Sequence, residues 1–245
     1  MRKLLAYPLS GVFLIFYILT LLVFHPLQWL TYNLFGYEAH KRCVAIMNLC
    51  LFRCTHLLGT TYSFKNDQNL PTDRPLIIVP NHQSLNDISP IIWFMRKHHP
   101  KFVSKKELSH GIPSVSYNLR HGGSALIDRK DSKQAVAEIA KLGKYIETHN
   151  RSAVIFPEGT RSRTGHPKEF KTNGIRILIK RAPSALLVPI SINNSWKILR
   201  YGKFPYGIGN RLTFEVHQPI ATDGSIEEAI AATEKAVISG ITEFK

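Results

Sequence analysis

Six short apolar or β-branched runs, spaced by stretches of helical periodicity, recur from Thr60 onward and constrain the fold of this chain more than any other feature. They are PLIIVP at 75–80, KFVSK at 101–105, SALID at 124–128, SAVIF at 152–156, LLVPISI at 186–192 and LTFEV at 212–216. Strand-length runs that alternate with helices need crossover connections, and crossovers give a largely parallel sheet with helices on its faces. Helices are expected over 90–99, somewhere after Glu107, and over 133–148, 174–181 and 226–240. The periodicity is cleanest at Val136, Ile139, Ala140, Leu142 and Ile146, with Ser132 as the expected cap. The fold class is therefore α/β, a mostly parallel sheet flanked by helices, assigned to residues 60–245.

Residues 1–59 read differently. The 21 residues 4–24, LLAYPLSGVFLIFYILTLLVF, contain no charge and follow Arg2 and Lys3; roughly 20 apolar residues suffice for a helix to cross a bilayer. A secretory signal would need small residues at a cleavage site, but the bulky FHPLQWLTYNLF follows, so the segment is expected to be retained. Pro8 and the His25-Pro26 step are expected to shorten the regular helix. A second helical stretch over 27–58 mixes apolar residues with Glu38, Lys41, Arg42 and Arg53 and suits the membrane interface. A single span and a half-inserted hairpin both remain open, as does simple packing on the domain core.

The 32 Lys and Arg against 17 Asp and Glu give a net charge of +15, which calls for an anionic partner. The basic residues are scattered, with no zinc-finger, helix-turn-helix or RNA-recognition signature, so nucleic acid is not the expected partner. Cys43, Cys50 and Cys54 are an odd set on one helical face, which suits apolar fillers in a reducing compartment. No metal site is expected.

Sites in such sheets form from the loops at the carboxyl ends of strands. Two of these loops carry unusual chemistry. In NHQSLND, residues 81–87, His82 and Asp87 stand about 140° apart if the segment is one helix. Ser89-Pro90 reads as a cap followed by proline at the first helical position, which leaves His82 and Asp87 in a loop able to fold back. Asp87 can then orient one imidazole nitrogen and leave the other as a base. Ser84 is an alternative nucleophile, without the G-x-S-x-G elbow, and metal ligation by His82 and Asp87 lacks a third ligand. The second loop, PEGTRSRTG at 157–165, sets Arg161 and Arg163 among glycines. It suits an oxyanion or is simply a solvated basic turn.

Taken together and in order, NHQSLND, SKKEL with IDR, FPEGTRS and LLVPISI resemble the four motif blocks of the glycerolipid acyltransferase family typified by 1-acylglycerol-3-phosphate acyltransferase, over residues 62–220. The resemblance implies transfer of a fatty acyl group from acyl-CoA or acyl carrier protein to the sn-2 hydroxyl of 1-acylglycerol-3-phosphate, giving phosphatidate, with no cofactor beyond the acyl donor. It implies His82 as general base, Asp87 as its orienting partner, and Glu158, Gly159, Thr160 and Arg161 around the glycerol phosphate, with Lys105 and Arg129 at further phosphate-side positions. Pro189 falls in the fourth block. The implied partners are the lipid bilayer, a lysophospholipid acceptor and the acyl carrier, with the catalytic domain on the cytoplasmic face of a membrane. IPSVS at 112–116 departs from the family's Pro-x-x-Gly turn, since Ser116 stands near the usual glycine. Another lyso-lipid as acceptor, such as a lyso-aminolipid, and a non-catalytic anionic-lipid binding module are the alternative readings.

Overall fold

The computed structural model describes residues 2–242; Met1 and residues 243–245, the outer ends of the two expected segments, lie outside them. Seven strands form one sheet in the order β1-β7-β6-β2-β5-β3-β4. They are β1 (Thr61–Lys65), β2 (Leu76–Pro80), β3 (Pro100–Lys105), β4 (Ala125–Ile127), β5 (Ser152–Val154), β6 (Leu186–Asn193) and β7 (Arg211–Val216). Only the β6–β7 pair is antiparallel. The sheet is thus mostly parallel and flanked by helices, as the alternation predicts. TYSFK, which forms β1, is the strand that the sequence reading passes over; its half-buried pattern gives a weaker signal than the fully buried runs.

The central strand β2 is buried along its whole length, as expected of a strand covered on both faces. Ile77 and Val79 join the core under helices α4 (Ser132–His149), α5 (Asn173–Arg181) and α6 (Ile226–Ser239). Leu76 and Ile78 join the opposite core, against α2 (Ile88–Phe94) and Phe13 of α1. Each fully buried Val or Ile contributes about 1.5–3 kcal/mol. Two caps differ from expectation. Asp131, not Ser132, caps α4 by accepting from the Gln134 amide at 3.0 Å. Ser89 and Pro90 lie inside the first turn of α2, which starts at Ile88. Pro90 is tolerated there because amides of the first turn have no helical partner.

Helix α1 (Arg2–Cys54) runs through Pro8 and Pro26 and breaks only at Gly36, with φ 74° and ψ −165°. That conformation is open to glycine and costly for other residues. The chain folds back there: Gln28 donates to the Met47 sulfur at 3.1 Å, and Thr20 lies 3.7 Å from the Cys54 sulfur. The product is a helical hairpin. Its first arm exposes Leu4, Ile15, Phe16, Ile18, Trp29 and Phe35, and it belongs to the one helical segment among the described residues, Arg2–Leu58, that is long and apolar enough to cross a membrane. The opposite face of that arm is tied to the domain. The Tyr206 amide donates to Ser10 Oγ at 2.8 Å, Phe13 packs on Tyr206, and Ser114 donates its amide to His25 Nδ1 and its hydroxyl to the Leu21 carbonyl. The cysteines follow this packing, with Cys43 buried and Cys50 and Cys54 half-buried.

Candidate functional site

Where the chain leaves β2, the buried Asn81 side chain pairs with the β6 backbone, accepting from Ile192 N at 2.7 Å and donating to Ile192 O at 2.9 Å. This fixes the direction in which residues 82–84 depart. A 3₁₀ turn over Leu85–Asp87 follows, with Ser84 as its cap. The capping arrangement is reciprocal: Ser84 Oγ accepts from Asn86 N at 3.0 Å, and Asp87 Oδ2 accepts from Ser84 N at 2.8 Å and Gln83 N at 2.7 Å. The turn therefore swings the Asp87 carboxylate back over residues 82–84. His82 Nδ1 lies 2.8 Å from the same Oδ2, the contact that the loop reading called for. Asp87 is fully buried, and Ser195 donates to its other oxygen. Four donors around a buried carboxylate meet its need for partners.

With a carboxylate at Nδ1, the imidazole holds its proton there and presents the lone pair of Nε2. The ring also stacks on Phe156, centroid to centroid 4.0 Å at 23°. Its side chain is 13% exposed, enough for one edge to meet a substrate. Ser84 does not share that access. It is fully buried, and its hydroxyl is engaged with Asn86 N and Ser195 Oγ.

The loop after β5 is fastened to this one twice. His82 N donates to Glu158 Oε1 at 2.7 Å, and Ser162 N donates to His82 O at 2.7 Å. Glu158 Oε2 accepts from Lys168 N at 3.1 Å, so this carboxylate links backbones and does not face outward. Burial raises its pKa above the usual carboxylate range against the pull of those two amides. Gly159 takes φ 67°, a left-handed turn that the missing Cβ allows. Thr160 and Arg161 follow on the surface. Lys168 secures both, its ammonium donating to Thr160 Oγ1 at 2.8 Å and Arg161 O at 3.1 Å. An open depression of about 650 Å³ lies beside them, lined among others by Glu158, Thr160, Lys168 and Lys171.

Lys105 ends β3 and Arg129 follows β4, both exposed at this carboxyl edge of the sheet. Neither is hydrogen-bonded to the His82 network among the described residues. Ser116, at the departure in the second block, accepts from Ile112 N at 3.0 Å and donates to Leu108 O at 2.9 Å. Its hydroxyl thus closes the turn by side-chain bonds. Gln83, Ser195 and Lys168 were not singled out in the sequence. Gln83 Oε1 accepts from Ser195 N at 3.0 Å across 112 positions, a separation at which no local pattern carries a signal.

Comparison with known proteins identifies a family and a matching fold. The Acyltransferase family model matches residues 62–193, more than half of the chain. A 1-acyl-sn-glycerol-3-phosphate acyltransferase of Cocos nucifera is 31% identical over 157 residues, covering 63% of this chain and 48% of that protein. One from Helicobacter pylori strain J99 is 36% identical over 133 residues, covering 51% and 54%. The chain thus spans about half the length of these two curated relatives. The crystal structure of the 1-acyl-sn-glycerophosphate acyltransferase PlsC from Thermotoga maritima superposes with a TM-score of 0.82 at 25% identity, over 100% of this chain and 98% of that one.

Proposed function

Because the chain belongs to the acyltransferase family, we propose that it moves a fatty acyl group from the thioester of acyl-CoA or acyl carrier protein to the free sn-2 hydroxyl of 1-acylglycerol-3-phosphate, releasing phosphatidate and the free thiol. The observation that carries this reading is the His82 imidazole. It is held at Nδ1 by a buried carboxylate and has Nε2 at the carboxyl edge of the sheet, beside a basic loop. Nε2 removes the proton of the acceptor hydroxyl as its oxygen attacks the thioester carbonyl. The imidazolium, stabilised by Asp87, then returns that proton to the departing thiolate as the carbon–sulfur bond breaks. No acyl-enzyme intermediate is needed.

Arg161, on the turn made by Gly159 and Thr160, holds the glycerol phosphate as a bidentate donor. Glu158 supports it from behind by joining the two loops, and Lys105 and Arg129 add positive charge on the acceptor's approach. The hairpin docks the protein on a bilayer with the catalytic domain on the cytoplasmic face. Its exposed apolar arm and the net charge of +15 support that docking.

The test is thiol release from acyl-CoA by detergent-purified protein, with and without lysophosphatidate. Release should require the acceptor, and His82→Ala should lower it by about 100- to 10,000-fold with the circular dichroism spectrum unchanged. Near-normal turnover in the variant would remove His82 from the chemistry. Rapid use of another lyso-lipid, with lysophosphatidate inert, would overturn the acceptor.

A further inference from the structure

The amino edge of the same sheet carries a polar cluster that this chemistry does not use. Lys101, the second residue of β3, lies at the strand end opposite Lys105. It is 6% exposed, and its ammonium makes no hydrogen bond or ion pair with a described residue; it rests 4.7 Å from the centre of the Tyr37 ring. Arg151 stacks on that ring at 3.8 Å. Lys41 Nζ is 2.9 Å from His99 Nε2 and 3.1 Å from Glu38, and Tyr37 Oη is 3.0 Å from His99 Nδ1. His99 therefore accepts from Lys41 as a neutral ring, with its pKa held down at about 4 by burial and by Lys41.

Lys41, Arg96, His99 and Lys101 line a cavity of about 30 Å³, which His40 also lines. The cavity exceeds the roughly 10–15 Å³ that one water requires. His40 is 1% exposed, and its Nε2 has no hydrogen-bond partner. At this one cavity, then, a buried imidazole nitrogen lacks a partner and the ammonium of a buried lysine faces only an aromatic ring. Three close cations, Lys41, Lys101 and Arg151, face a single carboxylate, Glu38, whose side chain is 57% exposed. Water can satisfy hydrogen bonds but brings no counter-charge to this local excess of cations, of which Lys101 is buried and Lys41 and Arg151 are half-buried.

We propose that this cavity, between the turn of the hairpin and the amino edge of the sheet, binds a phosphate-type oxyanion through Lys101, Lys41 and Arg96, supplied by free phosphate or by the headgroup of an anionic phospholipid. The site is separate from the acyl-transfer machinery and stands whether or not that reading holds. Occupation would tie the hairpin, through Tyr37 and Lys41, to strand β3. It would also be linked to protonation. Burial first, then Arg151 and Lys41, lower the Lys101 pKa to about 7 against the weaker opposing effect of Glu38. His40 and His99, also near Lys101, bear on the same balance. An anion would bind most tightly where Lys101 is charged.

Sulfate is a suitable probe because its charge is constant over this range. Calorimetric titration of the full chain in detergent, in an Arg161→Met background that weakens the loop after β5, should give saturable binding of one sulfate. Binding should be about tenfold or more weaker near pH 9 than near pH 6 and lost in Lys101→Met at both. A folded Lys101→Met that binds sulfate unchanged would overturn the site, as would a cavity that takes up water only. Should Lys101→Met not fold, Lys41→Met must show the loss instead. Flotation with phosphatidylglycerol or phosphatidylcholine vesicles separates the sources. A Lys101-dependent preference for phosphatidylglycerol assigns the headgroup, while sulfate binding without that preference assigns free phosphate.

Discussion

At the scale of single residues, Asp87 shows how a loop is made rigid enough to orient a base. Three of its donors come from residues 82–84 and the fourth, Ser195 Oγ, from the far side of β6. Removing that fourth donor leaves the His82 contact in place but frees one carboxylate oxygen in a buried site. A hydrogen bond to a charged group contributes about 1.5–3 kcal/mol, so Ser195→Ala should lower kcat about tenfold with KM for lysophosphatidate near its normal value. Ser195→Thr should restore most of the loss. An unchanged kcat would make Ser195 a packing residue only. His82 and Asp87 were legible in the sequence because five positions of loop between a strand and a helix leave few ways for a carboxylate to meet an imidazole. Ser195, Gln83 and the Phe156 stack were not, since each depends on strands that become neighbours only when the sheet forms. For Glu158 the surrounding motif was legible, but its contacts were not: the carboxylate joins two backbones.

At the scale of elements, the parallel strands were readable from buried apolar runs, whereas the shape of the amino-terminal segment was not. Proline suggested a break at residue 26, yet the helix continues there and Ser114 docks on the adjoining turn through His25 and Leu21. The reversal falls at Gly36 instead, because a corner needs positive φ more than it needs a missing amide. The reversal leaves one apolar face outward and ties the other to Ser114, Tyr206 and the β2 core. Ile15 and Leu19, one helical turn apart and 59% and 49% exposed, mark the outward face. An acidic side chain at the centre of a membrane-inserted helix costs roughly 2.5–3.5 kcal/mol. Ile15→Asp with Leu19→Asp should therefore release the protein from vesicles in flotation. Turnover of a short-chain, water-soluble acceptor should persist, since neither side chain belongs to the buried core. Continued vesicle binding by the folded double variant would show that this face does not meet lipid.

Across the whole molecule, the sheet separates two positive regions that the net charge of +15 does not distinguish. At the carboxyl edge the cations are exposed, so substrate phosphate can pair with them at little cost of desolvation. At the amino edge Lys101 is buried beside Arg151, and its charged form is penalised in the folded state. The sign follows from the protons bound. Folding lowers the Lys101 pKa from 10.5 to about 7, so between those values the unfolded chain holds a proton that the folded chain does not. Stability contributed by this group therefore rises with pH across that window, and below about pH 7 the penalty is fully present. Lys101→Met keeps the length of the stem while removing the charge, so it should stabilise the protein in anion-free buffer. At about 1.4 kcal/mol per pKa unit, discounted for relaxation and water entry, the gain near pH 6 is about 2–4 kcal/mol. For a chain of this size that corresponds to roughly 5–10 °C in Tm. Near pH 10.5 wild type and variant should melt within about 2 °C of each other, because the unfolded lysine is then losing its proton as well and the penalty has nearly vanished. Thermal melts at both pH values decide the matter: an equal shift at both would mean that Met packs better, and a lowered Tm at low pH would mean that the buried ammonium is already compensated within the fold.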